Sequence, residues 1–141
     1  MYRRIFVLLI VPVLFILKKA ECGMSQDQVD NMAKGMRKSC TSKVPVDLAL
    51  VEGVVRGEFP DDPNLKCYLR CVMKMTKGIK NGKLEPNMLI AQMSLLPANG
   101  DRLIEGVKKC SSEVAADDEC ELSFRYVKCQ YEFDPSVFFF P

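Results

Sequence analysis

The strongest constraint on this chain is a set of six cysteines, Cys40, Cys67, Cys71, Cys110, Cys120 and Cys129, in a sequence that has no histidine. Such a set can serve as cross-links, metal ligands or reactive thiols, and the compartment decides between them. The N-terminal residues point to export. Arg3 and Arg4 precede an apolar run from Ile5 to Leu17, and Ala20, Glu21 and Cys22 follow as a small-residue exit. That is the order of a secretory signal peptide. The run is shorter than the ~20 residues of a membrane span, and Pro12, Lys18 and Lys19 weaken it further. Cleavage after Cys22 places Ala20 and Cys22 at the two positions that must be small, whereas cleavage after Ala20 would place Lys18 at one of them. A lipid anchor on Cys22 is disfavoured, because Lys19, Ala20 and Glu21 make a poor lipobox. Residues 1–22 are therefore expected to be removed, leaving 23–141 as a single domain. An exported domain with an even cysteine count reads as three disulfides, and six cysteines permit fifteen pairings between which the residues alone do not choose.

Removing the leader also changes the charge. The whole chain has 20 basic and 18 acidic residues. Without Arg3, Arg4, Lys18, Lys19 and Glu21 the balance is 16 to 17, close to neutral. Nucleic-acid binding requires a basic field to neutralise phosphates, and the mature segment offers none. A domain of this size buries a modest core, especially if it encloses a pocket. Each bridge across tens of residues would contribute about 3–4 kcal/mol by restricting the unfolded chain, offsetting packing lost to a cavity.

Helical periodicity runs through the domain. Ser25 and Gln28 form a capping box that opens a helix reaching about Cys40, with Val29, Met32, Ala33 and Met36 on one stripe. Pro45 is expected to open a second, shorter helix through Leu48, Val51 and Val55, ended by Gly57 and Pro60. Asp61, Asp62 and Pro63 cap a third, whose Leu65, Leu69, Val72, Thr76 and Ile79 extend it to Asn81-Gly82. Cys67 and Cys71 stand four apart on one face of that helix. Pro86 starts a fourth helix (Met88, Leu89, Gln92, Met93) that stops before Pro97. A fifth carries Leu103, Ile104, Val107 and Cys110. A sixth opens at Asp117-Asp118 and carries Cys120, Phe124, Val127 and Tyr131. No alternating strand pattern of useful length is present, so the expected class is all-α with six helices. The segment 132–141 is an apolar tail ending Val137-Phe138-Phe139-Phe140-Pro141, unusual for a terminus, and it needs a place to be buried.

The cysteine intervals of 26, 3, 38, 9 and 8 residues resemble the signature of the insect pheromone- and odorant-binding proteins of the six-cysteine type. Cys67-Tyr68-Leu69-Arg70-Cys71 and the helix opening at Asp117-Asp118 are similar to that family as well. The resemblance spans essentially all of 23–141. It implies six helices around a closed apolar pocket, with bridges Cys40–Cys71, Cys67–Cys120 and Cys110–Cys129. Cys67 and Cys71 on one helical face are compatible with ties to two different neighbours.

Enzymatic chemistry finds little support. Without histidine the commonest general base and the usual nucleophilic triads are missing, and zinc loses its usual nitrogen ligand. No glycine-rich phosphate loop is visible, and Asp117-Asp118 is explained by capping. No metal or cofactor is expected. By position, the resemblance nominates a ligand-binding set of Met36, Leu69, Val72, Met73, Thr76, Leu84, Met93, Leu96, Leu103, Val107, Phe124, Val127 and Tyr131. Each is equally readable as ordinary core, although methionines adapt well to varied apolar shapes. Thr76 and Tyr131 are the expected polar handles for a ligand oxygen. Val137, Phe138, Phe139 and Phe140 are expected to fold back as a wall or lid, with a dimer interface as the alternative. With no histidine, any acid-triggered release must use carboxylates such as Asp134, Glu132 or the terminal carboxylate. The expectation is a carrier secreted into sensillar lymph or another extracellular fluid. It would take small apolar molecules such as long-chain alcohols, esters or aldehydes and deliver them to an odorant receptor, without inserting stably in a membrane. The competing readings are a saposin-like lipid-contacting protein and a stapled signalling ligand, neither with a small-molecule cavity.

Overall fold

Asp and Ser side chains mark where four of the helices begin. The computed structural model describes residues 23–97 and 100–141, so the expected leader at 1–22 lies outside the described residues. Helix α1, Gln26–Thr41, opens on the expected capping box: the Gln28 amide donates to Ser25 Oγ at 3.3 Å, and the Ser25 amide donates to Gln28 Oε1 at 2.8 Å. Helix α2 spans Leu48–Val54. It starts at Asp47, whose carboxylate accepts from the Ala49 amide at 2.9 Å, and not at Pro45. An N-cap carboxylate satisfies free backbone donors, which a proline cannot do. With that start Val51 and Val54 face inward, while the expected stripe members Leu48 and Val55 are exposed. Gly57, at φ +82°, then turns the chain.

Helix α3, Pro63–Met75, is capped by Asp62, which accepts from the Leu65 amide at 2.7 Å. It ends earlier than the spacing predicts. Lys77 adopts φ +54°, and the Gly78 amide donates to the Met73 carbonyl at 2.8 Å, closing the helix with a left-handed residue. The segment read as its continuation is a short hairpin, β1 Ile79–Lys80 against β2 Lys83–Leu84, with Ile79 opposite Leu84. Asn81 (φ +51°) and Gly82 (φ +74°) form its turn. Asn-Gly between paired residues is the preferred type I′ hairpin signal, and here it outweighs the helical spacing of Ile79. Helices α4 (Pro86–Met93), α5 (Gly100–Glu113) and α6 (Glu119–Phe133) complete the fold. Asp118 caps α6 by accepting from the Glu121 amide at 2.9 Å.

The bridges are those the resemblance implies. Cys40–Cys71 ties α1 to α3, Cys67–Cys120 ties α3 to α6, and Cys110–Cys129 ties α5 to α6. They bracket the main packing pair, α3 on α6, where Leu65, Tyr68, Leu69, Val72 and Val127 are fully buried. A charged clasp covers the same seam. Glu119 of α6 takes Arg70 Nε at 2.7 Å, Lys74 Nζ at 2.6 Å and the Gly82 amide at 3.1 Å, joining α3 and the hairpin. The donated bonds from Lys74 and Arg70 hold its carboxyl at about 2. Among the described residues no helix is long and apolar enough to cross a membrane.

The tail runs back along the body. Phe138 meets Tyr131 edge-on at 5.2 Å and stacks on Phe140 at 6.5 Å, and the Tyr68 hydroxyl donates to the main-chain oxygen of Pro141 at 2.7 Å. Tyr131 in turn contacts Phe59 edge-on at 5.9 Å. A Cβ at Gly57 would sit 2.4 Å from the Tyr131 ring, so this aromatic seam requires glycine there for space as well as for its φ.

Candidate functional site

The helices enclose a cavity of about 470 Å³ with an almost wholly apolar wall. Its floor and sides come from Met36 of α1, Val72 and Met73 of α3, Met93 of α4, Leu103 and Val107 of α5, and Val127 of α6. Leu96 and Thr76 also line it, and Phe138, Phe139 and Phe140 supply the tail wall. All of these are among the residues nominated from sequence. The cavity is not fully closed. Met32, Met75, Leu95 and Phe139 line it and also face solvent at 37–44% exposure, which makes them its rim. The Met24 amide donates to the Leu95 carbonyl at 2.9 Å and pins the first residues across the same side.

Five nominated residues lie elsewhere. Leu69 is fully buried in the core, Leu84 packs from the hairpin onto that core, and Val137 is half-buried outside the lining. Phe124 meets Phe59 edge-on at 5.9 Å and carries Lys66 over its ring. Tyr131 meets Phe138 of the tail edge-on. The error on α6 is one of angle. Phe124, Val127 and Tyr131 form one valid stripe and Tyr126, Val127 and Gln130 another, and they lie on opposite sides of Val127. The second stripe faces the cavity. The first faces the Phe59 and Phe138 aromatic seam.

Of the two expected polar handles, Thr76 lines the cavity with its donor already engaged, and Tyr131 is not among the lining residues. The Thr76 hydroxyl donates back to its own helix, 3.1 Å from the Met73 carbonyl and 3.3 Å from that of Val72. Tyr131 does not reach the cavity. Sequence reasoning passed over Met24, Met32, Met75, Lys77, Leu89, Gln92, Leu95, Tyr126, Gln130 and Pro141 as lining residues. Periodicity does flag Met32, Leu89 and Gln92 as helix-stripe positions, and Tyr126 and Gln130 are recoverable from their spacing around Val127. Gln92 donates its amide to the Thr76 carbonyl oxygen. Lys77 carries the single charged side chain of the wall among the described residues, and it is exposed. Tyr126 is buried, and burial alone pushes its phenol above the ordinary value, so it stays protonated. The described residues contain no cluster suited to hold a metal ion.

A half-open apolar chamber between disulfide-tied helices has the form of a small-molecule binding pocket. Comparison with known proteins agrees. The sequence profile of the PBP/GOBP family matches residues 22–132, and the chain belongs to that family, whose members carry small hydrophobic odorants and are not enzymes. General odorant-binding protein 19a of Drosophila melanogaster is 26% identical over 131 residues, covering 89% of each chain. General odorant-binding protein 72 of Anopheles gambiae is 26% identical over 120 residues, covering 83% of this chain and 99% of its own. Among solved structures, Apis mellifera odorant binding protein 5 superposes with a TM-score of 0.79 at 41% identity, over 84% of this chain and 99% of that one. Odorant Binding Protein 4 of Chrysopa pallens gives 0.78 at 30% identity over the same shares.

Proposed function

We propose that the protein is a secreted carrier that takes up neutral apolar molecules of the long-chain alcohol, ester or aldehyde type in this cavity and delivers them to a receptor. The observation that carries the reading is the 470 Å³ apolar chamber itself, walled by flexible methionines and by the tail phenylalanines. Methionine walls re-pack around ligands of different shape, and discrimination then rests on length and contour more than on charge. Residues 1–22 act as the export leader, and the start of the family match at residue 22 supports that reading. The tail serves as wall and lid: Phe138–Pro141 line the cavity, and aromatic contacts with Tyr131 seat them.

Release works through the base of the tail. Asp134 accepts from Ser136 and pairs with Arg102 at 2.9 Å, and these contacts hold its carboxyl below the ordinary value. The clasp therefore stays shut at neutral pH and loosens only in acid. Glu132 pairs weakly with Lys128 at 3.8 Å and holds no part of the tail by that contact.

The test is titration of the oxidised protein with a polarity-sensitive apolar fluorophore, followed by displacement with alcohols, esters and aldehydes of graded length. Saturable micromolar uptake with competition is the expected result. A well-folded, fully bridged sample that takes up no probe would refute carriage.

A further inference from the structure

Apolar walls alone do not explain two polar groups in the cavity wall. Tyr126 and Gln130 stand four apart on α6, so they project side by side one helical turn apart, and both line the cavity. The Gln130 amide oxygen abuts Gly106 of α5, where a Cβ would come within 2.9 Å of it. The amide nitrogen at the other end is buried and has no hydrogen-bond partner among the described residues. Tyr126 is 4% exposed, and burial is what raises its phenol above the ordinary value. Buried donors are normally paired, and an unpaired one on a residue of the cavity wall lacks a partner that a ligand atom can supply. The other polar side chains of the wall are accounted for. Thr76 and Gln92 are turned to backbone oxygens, and Lys77 is out at the solvent edge.

We infer that Tyr126 and Gln130 form a two-donor anchor for a neutral acceptor oxygen, so that the preferred ligands are carbonyl compounds rather than hydrocarbons or carboxylates. This rests on the carrier reading above and adds the chemical class. Both groups donate and neither is cationic, so a ketone, aldehyde or ester oxygen is matched. A carboxylate there would be buried without a counter-charge. Gly106 is part of the device, because its missing side chain lets α5 approach closely enough to hold the amide in place.

The experiment uses carvone and limonene, which share a carbon skeleton and differ by one ketone oxygen. Each displaces the fluorescent probe N-phenyl-1-naphthylamine from the oxidised mature protein, residues 23–141, and from its Tyr126→Phe and Gln130→Met variants. In the unsubstituted protein carvone should bind more tightly than limonene. Each substitution should weaken carvone about tenfold more than it weakens limonene, the size of one lost hydrogen bond. The melting temperature of Gln130→Met should hold or rise, since an unpaired buried amide is removed. Equal binding of the two ligands at the start, or equal loss for both on substitution, would overturn the anchor while probe uptake keeps the carrier reading intact. A lowered melting temperature with both ligands weakened alike would mark Gln130 as structural and overturn it too. Absence of probe uptake by the unsubstituted protein would instead remove the carrier reading and the anchor with it.

Discussion

Deleting Phe138–Pro141 tests whether the tail is part of the binding site or merely rests beside it. These four are among the 22 residues that line the cavity, close to a fifth of the wall. A ligand of about 15 heavy atoms bound near micromolar is held by about 8 kcal/mol. Removing a fifth of its surroundings should therefore cost about 1.5 kcal/mol, a roughly tenfold rise in Kd. Since related complexes differ mainly in dissociation, most of that change should appear as faster release. Stability should fall too. The buried Tyr68 hydroxyl loses its acceptor at Pro141, and Tyr131 loses its partner Phe138, together costing about 1–3 kcal/mol. Stopped-flow displacement of a bound fluorophore measures the release rate, and circular dichroism confirms that the helices remain. An unchanged release rate and Kd in a folded, truncated chain would refute the wall assignment.

Three further outcomes follow from the packing and the charges. Glu119, held at about 2 by Lys74 and Arg70 against an ordinary 4.5, stabilises the fold above the ordinary value, and that contribution is lost as pH falls from there toward 2. Urea midpoints should thus drop more steeply between pH 5 and pH 2.5 in the parent than in Glu119→Gln, and parallel curves would disprove the clasp. Gly57→Ala combines a left-handed φ of +82° with a Cβ placed 2.4 Å from the Tyr131 ring. A thermal melt should show a loss of about 1–3 kcal/mol, and a neutral result would mean the aromatic seam yields easily. Tyr131→Phe should change ligand displacement less than about twofold, because that hydroxyl lies outside the cavity; a tenfold loss for oxygenated ligands alone would restore it as a handle.

Legibility in the sequence followed the range of the forces involved. Ser25, Asp62 and Asp118 each cap the helix they were expected to cap, because a cap bonds within three residues. The same short range misplaced the start of α2, where Asp47 took the role assigned to Pro45. It also hid the hairpin, where the Asn81-Gly82 turn interrupts a helical spacing.

By itself the sequence determined the six helices, the cysteine frame with the family it resembles, and an apolar lining rich in methionine, all carried by local signals and spacing. Only the tertiary structure decided which of two overlapping stripes on α6 meets the cavity, because both share Val127 and the choice depends on where α5 and the tail pack. It likewise decided that the Thr76 donor is engaged by its own helix, that Tyr131 lies outside the lining, and that the Gln130 amide is left unpaired beside Tyr126. Whether a polar group is satisfied depends on what lies across from it, and those neighbours come from other helices.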